Sequence, residues 1–558
     1  MATTIDPELD ALDQHLSDAW SRIVAQRQAR AARRQAPPLI RLWDGDWNLR
    51  GRVAGELDYS FDWKYNDIGA GFVKLPYDHH LAQWALDIYG RDTDNIHVTC
   101  DKDGGRWGGR MQTVTLVKNS DGSRYVEIKF LDDMKELEAV LCWPNPVLPA
   151  GVQFPKSFVL AGPARYTLKL TLFLNLIRLH GNFWNLPDDP LDPRTWFEGV
   201  TPWNWSIAVL PDSLLLDDSQ WCVIDSRMKN FMELARPILA DAGLMITTRR
   251  WLSGDPTPQG WLGPLRNGQL MVDIVDKSGV FEQTALGGTL AGGMTRTVTT
   301  MADNLVDDVI TTVANPVEPA EYSVSKWFGT APAQPWVVLR DGDTSPVESG
   351  SWSWEPATVV QVTAGGKSAP GVNTALSIGV QFVGNMIGSV LLLDGVGGIA
   401  DTALKPLYED VFLAFGTIKS PLRTMKAGWS HYHEGWAEGA ETAWSLSGVV
   451  AIREKFWNTR ARSFHSVVMS EGPYIIGDQG QGHCWLGDRV GVLLEGMPHG
   501  RYNVEQICSL TLAGSRDTAP RWVTGTGDPR TDISPLARLL DQSRQVFEAL
   551  KNLGVWSR

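Results

Sequence analysis

The stretch that decides the fold is DYSFDWKYNDIGAGFVKLPYD, residues 58–78, in which apolar and polar side chains alternate. Successive side chains of an extended chain point to opposite faces of a sheet. One face carries the apolar set Leu57, Tyr59, Phe61, Trp63 and Tyr65. The other face carries Glu56, Asp58, Ser60, Asp62 and Lys64. The pattern predicts a strand whose apolar side is the core face of a small β-barrel and whose polar side faces solvent.

A turn and a partner strand follow this segment. The predicted turn residues are Asn66, Asp67, Gly69 and Gly71. GFVKLP then pairs back, a short helix capped by Asp78 comes next, and NIHVTC and RYVEIKFL return to a period of two. Several strands with one small helix are typical of a small barrel or sandwich, and we assign residues 41–150 to it.

Helices flank and follow this first β-domain. An N-terminal arm, residues 1–40, is predicted to be helical over 6–34 and to end in the basic run RQARAARRQ before Pro37. On an acidic chain such a run favours docking on an acidic neighbouring subunit over binding nucleic acid. Residues 151–310 predict an α/β middle domain in which two helices precede the β-ribbon strands LMITTRRW and QLMVDIVD.

The C-terminal half predicts an insertion and a second β-domain. Residues 311–430 form the insertion, which is rich in Pro and Trp and contains an uncharged stretch at 368–393. Residues 431–530 return to short strands and predict a second β-barrel, and residues 531–558 predict a closing helix. The fold class is therefore α+β and β-rich, with small β-barrel domains, a helical middle segment and an inserted apolar helical region.

The uncharged stretch 368–393 is long enough to span a bilayer and contains a G-x-x-x-G pattern. Three interpretations stay open: a buried helix in a large assembly, conditional insertion into a membrane, and a permanent anchor. A polar residue at every fourth position favours the first. The candidate membrane-active or helix-packing residues are Phe382, Gly384, Met386 and Gly388.

Composition excludes some classes of partner and compartment. The 51 Lys and Arg against 64 Asp and Glu give a net charge of −13, which argues against DNA or an anionic membrane as a partner of the whole chain. The first residues lack the apolar segment of a secretory signal, so we expect folding in a cytoplasm. Five widely spaced cysteines without a CxxC pair indicate reduced core residues, and most of the 25 tryptophans are expected in cores or interfaces.

Motifs for catalysis or metal binding are weak. HYHEGW places His431, His433 and Glu434 together without a third ligand at a defined spacing, and His483 and Cys484 are neighbours that point apart on a strand. Three pairs of adjacent acids are predicted as turn and cap residues: Asp132 and Asp133, Asp188 and Asp189, and Asp217 and Asp218. We expect no catalytic residue, no cofactor and no metal, and no enzymatic activity.

Four segments of the chain carry a resemblance to a phage family: LRGRVAGELDYSFDWKYNDIGAGFVKLP, VEIKFLDDMKEL, GQLMVDIVDKSG and GHCWLGDRVGV. It resembles the central hub, or baseplate hub and minor tail protein, of siphophages that infect mycobacteria and related actinobacteria. The resemblance covers about residues 41–310 and 440–530, and the segment 368–393 departs from it. No catalytic motif defines this family, so no catalytic residue is carried over.

The resemblance implies a structural role in the virion. It implies a homotrimeric ring at the tail tip, made in the bacterial host cytoplasm, that closes the tail tube and opens for DNA ejection. The implied partners are the chain itself as a homotrimer, the distal tail protein, the tape measure protein and other minor tail proteins. Contact with the host envelope or membrane is left open, and phage DNA is a partner only in transit. Two alternatives are a tail-associated cell-wall hydrolase and a glycan-binding adhesin that uses Trp352 and Trp354.

Overall fold

The structure is a computed structural model. It describes residues 7–181, 191, 199–279, 313–314, 335, 337–342, 347–365, 415–437, 452, 455–456, 458–469, 474–497 and 502–527. The described helices are α1 (Pro7–Gln35), α2 (His80–Leu86), α3 (Lys135–Glu138), α4 (Ala164–His180), α5 (Phe231–Ala242) and α6 (Pro421–Ala427). Strands predominate over these helices, so the predicted β-rich α+β class is confirmed.

The strands fall into an N-terminal, a middle and a C-terminal group. The N-terminal strands are β1 (Leu39–Asp44), β2 (Leu49–Arg52), β3 (Asp58–Lys64), β4 (Ala70–Pro76), β5 (Ile96–Lys102), β6 (Gly105–Lys118) and β7 (Arg124–Asp132). The middle strands are β8 (Leu141–Cys142), β9 (Phe158–Pro163), β10 (Ile207–Val209), β11 (Trp221–Ser226), β12 (Lys229–Asn230), β13 (Leu244–Arg250), β14 (Leu270–Asp276) and β15 (Val313–Ala314). The C-terminal strands are β16 (Val338–Arg340), β17 (Val347–Glu355), β18 (Gln361–Gly365), β19 (Phe415–Lys419), β20 (Gly435–Trp436), β21 (Arg462–Met469), β22 (Arg489–Leu493), β23 (Tyr502–Ser515) and β24 (Arg521–Gly527).

One sheet of 14 strands joins the N-terminal and C-terminal groups. Its order is β17-β21-β24-β23-β3-β4-β7-β6-β5-β1-β2, with β22 and β15 also paired to β23 and β16 paired to β22. The junction is the antiparallel pair β3 and β23, in which Phe61 lies opposite Leu512 and Trp63 opposite Leu510. The ranges 41–150 and 431–530, predicted as separate barrels, thus contribute strands to the same sheet. The closure of these strands into barrels stays a prediction.

The two faces of this central sheet differ in chemistry. The inner face, defined as the side that carries Phe61, is packed with buried apolar residues from both groups of strands, among them Val98, Ile128, Leu510 and Leu512. The outer face is the opposite side: on β3 it carries half-exposed or exposed polar residues, and on β5 and β6 it carries buried residues that include His97 and Thr99. The alternation of β3 explains this division, because a period of two places every second side chain on the same face.

The short helix α2 begins one residue later than the sequence predicts. His79, and not Asp78, is its cap, since the His79 side chain accepts a hydrogen bond from the backbone N–H of Leu81. Ile88 lies beyond the end of this helix and is exposed. The prediction of Asp78 as the cap was therefore wrong.

The middle unit, residues 134–279 where described, has a core of its own. The strands run in the order β10-β14-β13, and α4 and α5 pack against them. Asn230 caps α5 by accepting a hydrogen bond from the Glu233 N–H at 2.7 Å, and Gly243 ends this helix in the left-handed conformation (φ 65°). Both helices and the β-ribbon β13 and β14 confirm the predicted elements.

The helix α1 confirms the predicted N-terminal helix and docks on its own chain. Arg33 donates a hydrogen bond to Asp103 at 2.6 Å, and Lys102 donates to the carbonyl oxygens of Arg33 and Ala36. Leu16 and Trp20 on this helix are exposed. Sequence patterning predicts an acidic neighbouring subunit as the docking site of the basic run. For Arg33 the acidic partner lies on the same chain.

Two predicted segments lie outside the described residues: the uncharged stretch 368–393 and the closing helix 531–558. The insertion is described only in part, as a small sheet in the order β19-β18-β20 with α6 beside it. Within the described ranges, none of the helices is both long and apolar enough to cross a membrane.

Candidate functional site

The predicted core-face residues of β3 lie at the junction of all three groups of strands. The structure places Tyr59, Phe61, Trp63 and Tyr65 in the interior and leaves Leu57 half-buried. Phe61 is 0% exposed, and its ring contacts Trp107 at a centroid distance of 5.0 Å. Trp63 packs against both Trp485 and Trp522. These aromatic residues therefore connect the N-terminal strands to the C-terminal ones.

The predicted helix-packing residues Phe382, Gly384, Met386 and Gly388 lie outside the described residues, so their role stays a prediction. Of the tryptophans proposed for a glycan surface, Trp354 is 57% exposed on β17 and Trp352 is half-buried. The structure therefore leaves Trp354 accessible on a strand at one end of the described sheet.

The two histidine motifs lie in different surroundings. His431 and His433 have ring centroids 4.9 Å apart on an exposed segment, and the described residues contain no group of side chains suited to a metal ion. His483 Nδ1 accepts a hydrogen bond from the Ile475 N–H at 2.9 Å. Cys484 is buried, and burial raises the pKa of its thiol to about 12. The histidine of this pair holds a turn and does not activate the neighbouring sulfur.

The described members of the carboxylate pairs take part in structural contacts. Asp132 accepts a hydrogen bond from the Met134 N–H at 2.7 Å, whereas Asp133 forms an ion pair with Arg250. Asp217 is buried and accepts hydrogen bonds from the Tyr166 and Ser219 N–H groups. A glycosidase needs two carboxyl groups that face each other across a cleft, and these pairs do not provide that arrangement.

The middle unit docks on the outer face of β5 and β6 through a buried ionic cluster centred on Arg250. This guanidinium is 2% exposed and forms a two-point contact with Asp133, at 3.0 and 2.8 Å. It also donates to Glu136 and, at 3.0 Å, to the carbonyl oxygen of Gly268. Two-point contacts of this kind fix orientation as well as distance.

A second cationic group continues the cluster along β6. Arg106 donates to Asp101 on β5, to Asp255 of the middle unit and, at 2.8 Å, to the backbone oxygen of Arg250. Gly108 lies between the two arginines on this face, and a Cβ there would come within 2.0 Å of the Asp133 carboxylate. The junction between sheet and middle unit therefore consists of paired charges with little space between them.

The hairpin turn after β3 forms a further contact with the middle unit. Asn66, at φ 52°, donates to the backbone oxygen of Leu244 at 2.8 Å and accepts from the Ile246 N–H at 2.9 Å. The Tyr65 hydroxyl donates to the same Leu244 oxygen at 3.0 Å. The turn that the sequence predicts from its residue types thus also holds the first residues of β13.

Burial shifts two titratable groups at this junction in opposite senses. Burial raises the pKa of the Asp132 carboxyl to about 8, so this group is largely protonated at neutral pH. Burial, with the nearby Arg250 and Arg110 charges, lowers the pKa of His97 to about 3, which keeps the imidazole neutral. The junction therefore contains two uncharged titratable groups among paired ions.

Two clefts flank the junction. The ribbon cleft has a volume of about 610 Å³. It is lined by residues of β13 and β14, among them Arg249, and by Trp63, Asp255 and Asp478 from other segments. The Trp47 cleft, of about 870 Å³, is lined by Trp47, His97, Arg110, Gly268 and residues of the middle unit. Sequence patterning identified neither cleft, because the walls of each come from segments more than 200 positions apart along the chain.

Comparison with known proteins identifies the class. A model of the siphovirus ReqiPepy6 Gp37-like protein family matches residues 39–528. The chain is 35% identical over 587 residues to the minor tail protein Gp28 of Mycobacterium phage L5, with 96% of this chain and 98% of that protein covered. It is also 35% identical to the minor tail protein Gp28 of Mycobacterium phage D29, with 86% and 88% covered. These matches define the class of siphophage minor tail proteins, which are components of the virion tail.

Within that class, the chain belongs to the siphovirus ReqiPepy6 Gp37-like family. The predicted resemblance to siphophage minor tail proteins is thereby confirmed. Distant likenesses among solved structures include a tail protein from Neisseria meningitidis, at 12% identity and a TM-score of 0.37, covering 90% of this chain and 100% of that one. Another is a 43 kDa prophage tail protein from Shewanella oneidensis, at 11% identity and a TM-score of 0.38, covering 89% and 100%. Family membership rests on the sequence matches.

Proposed function

We propose that three copies of this chain form the central hub at the tail tip, which closes the tail tube and opens for DNA ejection. The observation that carries this proposal is the family match over residues 39–528, which includes the N-terminal strands, the middle unit and the C-terminal strands. A closed ring of three copies repeats each intersubunit contact three times, so a modest contact stabilises the whole ring.

The outer face of the central strands supports a role as a channel wall. Ser60 and Asp62 of β3 and Thr511 of β23 are half-exposed there, and Asp58 forms an ion pair with Lys74 at 3.1 Å. Small hydroxyl groups, the Asp62 carboxylate and the paired Lys74 present little positive charge to a DNA duplex, and Lys64 is the one exposed cation of β3 on this face. Binding to DNA depends on unpaired positive charge. The net charge of −13 acts in the same sense, so the DNA would pass without being held.

The proposal includes the partners of a tail-tip hub. In the ring, each copy would contact the distal tail protein, the tape measure protein and other minor tail proteins, with assembly in the bacterial host cytoplasm. The host envelope would be met at the open end, and phage DNA would be a partner only in transit. The mixed chemistry of the sheet, with one buried apolar face and one polar face, supports such a position between other proteins and solvent.

Mass measurement and labelling test the hub directly. Light scattering on the purified chain is expected to give three times the monomer mass of 61.7 kDa, alone or with the distal tail protein. Immunogold labelling of intact virions is expected at the tail tip. A monomer under both conditions, together with virions that carry no label at the tip, would contradict the hub.

We further propose that the uncharged segment 368–393 enters the host membrane when the hub opens, with its glycines allowing close helix packing. A synthetic peptide of this segment is expected to release dye from liposomes. The variants Gly384→Leu and Gly388→Leu are expected to abolish the leakage. Equal leakage from the variants would rule out the packing role.

The two alternative functions have separate tests. A cell-wall hydrolase predicts clearing zones in host peptidoglycan gels, and absence of clearing at several pH values would exclude it. An adhesin that uses Trp354 predicts weaker binding to host wall polysaccharide after Trp354→Ala. Unchanged binding would exclude this surface, while leaving the hub untouched.

A further inference from the structure

The loop between β8 and β9 presents large apolar side chains to solvent. Phe154 is 78% exposed and Val147 is 68% exposed, although both belong to a unit with a well-packed core. The loop surface is defined as the exposed apolar residues of this region, which are Leu141, Val147, Val152, Phe154 and Met228. An exposed apolar patch of this kind is typical of a site where another protein binds.

Two amide side chains hold the loop in one conformation. Asn145 donates a hydrogen bond to the carbonyl oxygen of Phe154 at 2.8 Å and accepts one from the Val147 N–H at 2.9 Å. Gln153 donates to the carbonyl oxygen of Leu148 at 3.1 Å. A loop that is already ordered loses little conformational entropy when a partner binds, so this construction favours association.

Exposed cations surround the loop surface. Lys156 directly follows the loop. Lys229 pairs with Cys142 between β12 and β8, which places Lys229 and its neighbour Arg227 beside the start of the loop. All three cations are exposed, and none of them forms a side-chain hydrogen bond or an ion pair with the part of the chain that the structure describes. The loop surface is therefore apolar at its centre and positively charged at its edge.

A second apolar surface is formed by α4 and the chain that follows β10. An apolar pocket there has a volume of about 190 Å³, and its walls include Tyr166, Leu170, Phe173 and Leu210. A cavity of about 150 Å³ holds a benzene ring, so this pocket has room for one aromatic side chain. The three consecutive leucines at 214–216 are exposed beside it. The pocket surface is defined as this pocket together with the three leucines.

The charge around the pocket surface is opposite to that around the loop surface. Asp212 forms ion pairs with Arg165 at 2.8 Å and with Lys169 at 3.2 Å. Asp217 also contacts Arg165, and Asp273 also contacts Lys169. Three carboxylates thus share two cations, which leaves excess negative charge beside the pocket. Complementary charge favours the approach of the basic loop surface to this acidic one.

The two surfaces lie on opposite sides of α4. Asn175 and Arg178 of this helix form hydrogen bonds, each of 3.1 Å, with backbone atoms of β8 and of the residue after it, where the loop begins. Tyr166 and Lys169 line the pocket. Asn175 follows Tyr166 by nine residues, and Arg178 follows Lys169 by the same number, which is about two and a half helical turns. The loop of one chain therefore faces away from its own pocket, whereas the loop of a second copy can reach it.

We propose that the loop surface of one copy docks on the pocket surface of the next copy, with the Phe154 ring in the pocket. Because the two surfaces differ, each copy offers one and receives the other, and repetition of such a contact can close a ring. This inference rests on the proposed hub of three copies, and it names the surfaces that hold the ring together.

Light scattering on variants of the full-length protein tests this contact, under the conditions in which the unaltered protein is a trimer. Phe154→Asp places a carboxylate in the apolar pocket, and Leu215→Asp places one on the pocket surface. Burial of an unpaired charge is costly, so each variant is expected to have the monomer mass of 61.7 kDa. Each variant keeps the surface that the other lacks. An equimolar mixture of the two is therefore expected to form a complex of two chains, since one intact contact remains and the ring cannot close.

Tyr89→Asp is the matched control, because Tyr89 is an aromatic residue that is 96% exposed and lies outside both surfaces. This variant is expected to remain a trimer, and circular dichroism checks that all three variants are folded. The inference is overturned, while the hub stands, if either surface variant remains a trimer or if the mixture contains only monomers. An unaltered protein that is monomeric both alone and with the distal tail protein would instead contradict the hub, and the ring contact with it.

Discussion

The inner and outer faces of the central sheet show two ways of holding a protein together. On the inner face, Phe61, Leu510 and Leu512 are buried apolar side chains that need only a water-free neighbour. On the outer face of β5 and β6, Arg106 and Arg250 are buried charges that need particular carboxylates at particular positions. Hydrophobic burial is non-directional, whereas a buried ion pair is stable only when its geometry is right. The core of the sheet should therefore tolerate small changes of side-chain geometry, whereas the ionic junction should not.

Removal of the central cation of the junction is expected to have the largest effect. Arg250→Ala leaves Asp133 and Glu136 buried without their partner, which costs about 3–5 kcal/mol in comparable cases. The free energy of unfolding, measured in urea, is expected to fall by this amount. Arg52→Ala, which removes an exposed arginine, is the control and is expected to change it by less than about 0.5 kcal/mol. Equal effects of the two variants would mean that the ionic cluster adds no stability to the junction.

Truncation of a core aromatic is expected to have the next largest effect. Phe61→Ala opens a cavity beside Trp107 and is expected to lower the free energy of unfolding by about 3 kcal/mol. Phe72 on the adjacent strand β4 is half-exposed, and Lys74 lies 4.9 Å from its ring. Phe72→Ala makes the same chemical change away from the core and is expected to cost less than about 1 kcal/mol. A similar loss in both variants would contradict the division of the sheet into an inner and an outer face.

The pH dependence of stability tests the buried carboxyl at the end of β7. The pKa of Asp132 is about 8 in the folded protein and near 4 in an unfolded chain, so the folded state binds more protons between these values. The stability that protonated Asp132 contributes is complete below pH 4 and is lost as the pH rises to 8.

Asp132→Asn cannot ionise, so its stability relative to the unaltered protein is expected to grow by about 4 kcal/mol from pH 5 to pH 9. Urea unfolding at the two pH values measures this difference. A difference that stays constant between them would show that Asp132 is ionised in the folded state.

The smallest effect is expected where α1 meets the sheet. The Arg33 side chain is partly exposed in its ion pair with Asp103, and such pairs contribute about 1 kcal/mol or less. Arg33→Ala is expected to leave global unfolding almost unchanged and to speed hydrogen exchange in the last turns of α1. Arg27→Ala, on an exposed position of the same helix, is the control. Unchanged exchange in both variants would indicate that Lys102 alone holds the end of the helix.

Sequence reasoning succeeded where the information is local. The hairpin of β3 and β4, the helix α4 and the β-ribbon follow from periodicity and from the position of Asn66, because these features depend on residues close along the chain. It did not identify β6, whose glycine-rich start GRWGGR resembles a turn. Gly105 and Gly108 are required there because Trp485 and Asp133 occupy the space of their side chains. Trp485 is distant along the chain, and Asp133 follows the end of the neighbouring strand β7. The local sequence of β6 therefore does not show why glycine is needed there.

The candidate site was harder to predict than the fold. Arg250 appears in the sequence as one polar residue at the end of a strand, and His97 as one position in an alternating run. Their importance arises from burial, which forces charges to pair and neutral groups to stay neutral. The sequence contains no spacing signal for these contacts, since Arg250 and Asp133 are 117 positions apart.

By itself, the sequence of this protein determined the β-rich class, the amphipathic strand β3 and the family to which the chain belongs. These properties depend on alternation, turn residues and matched segments, which are local or additive along the chain. Only the tertiary structure decided that β3 pairs with β23, that the middle unit docks through Arg106 and Arg250, and that a cleft opens beside Trp47. Those features join residues far apart in the chain, and the physical terms that select them, burial and charge pairing, exist only once the chain has folded.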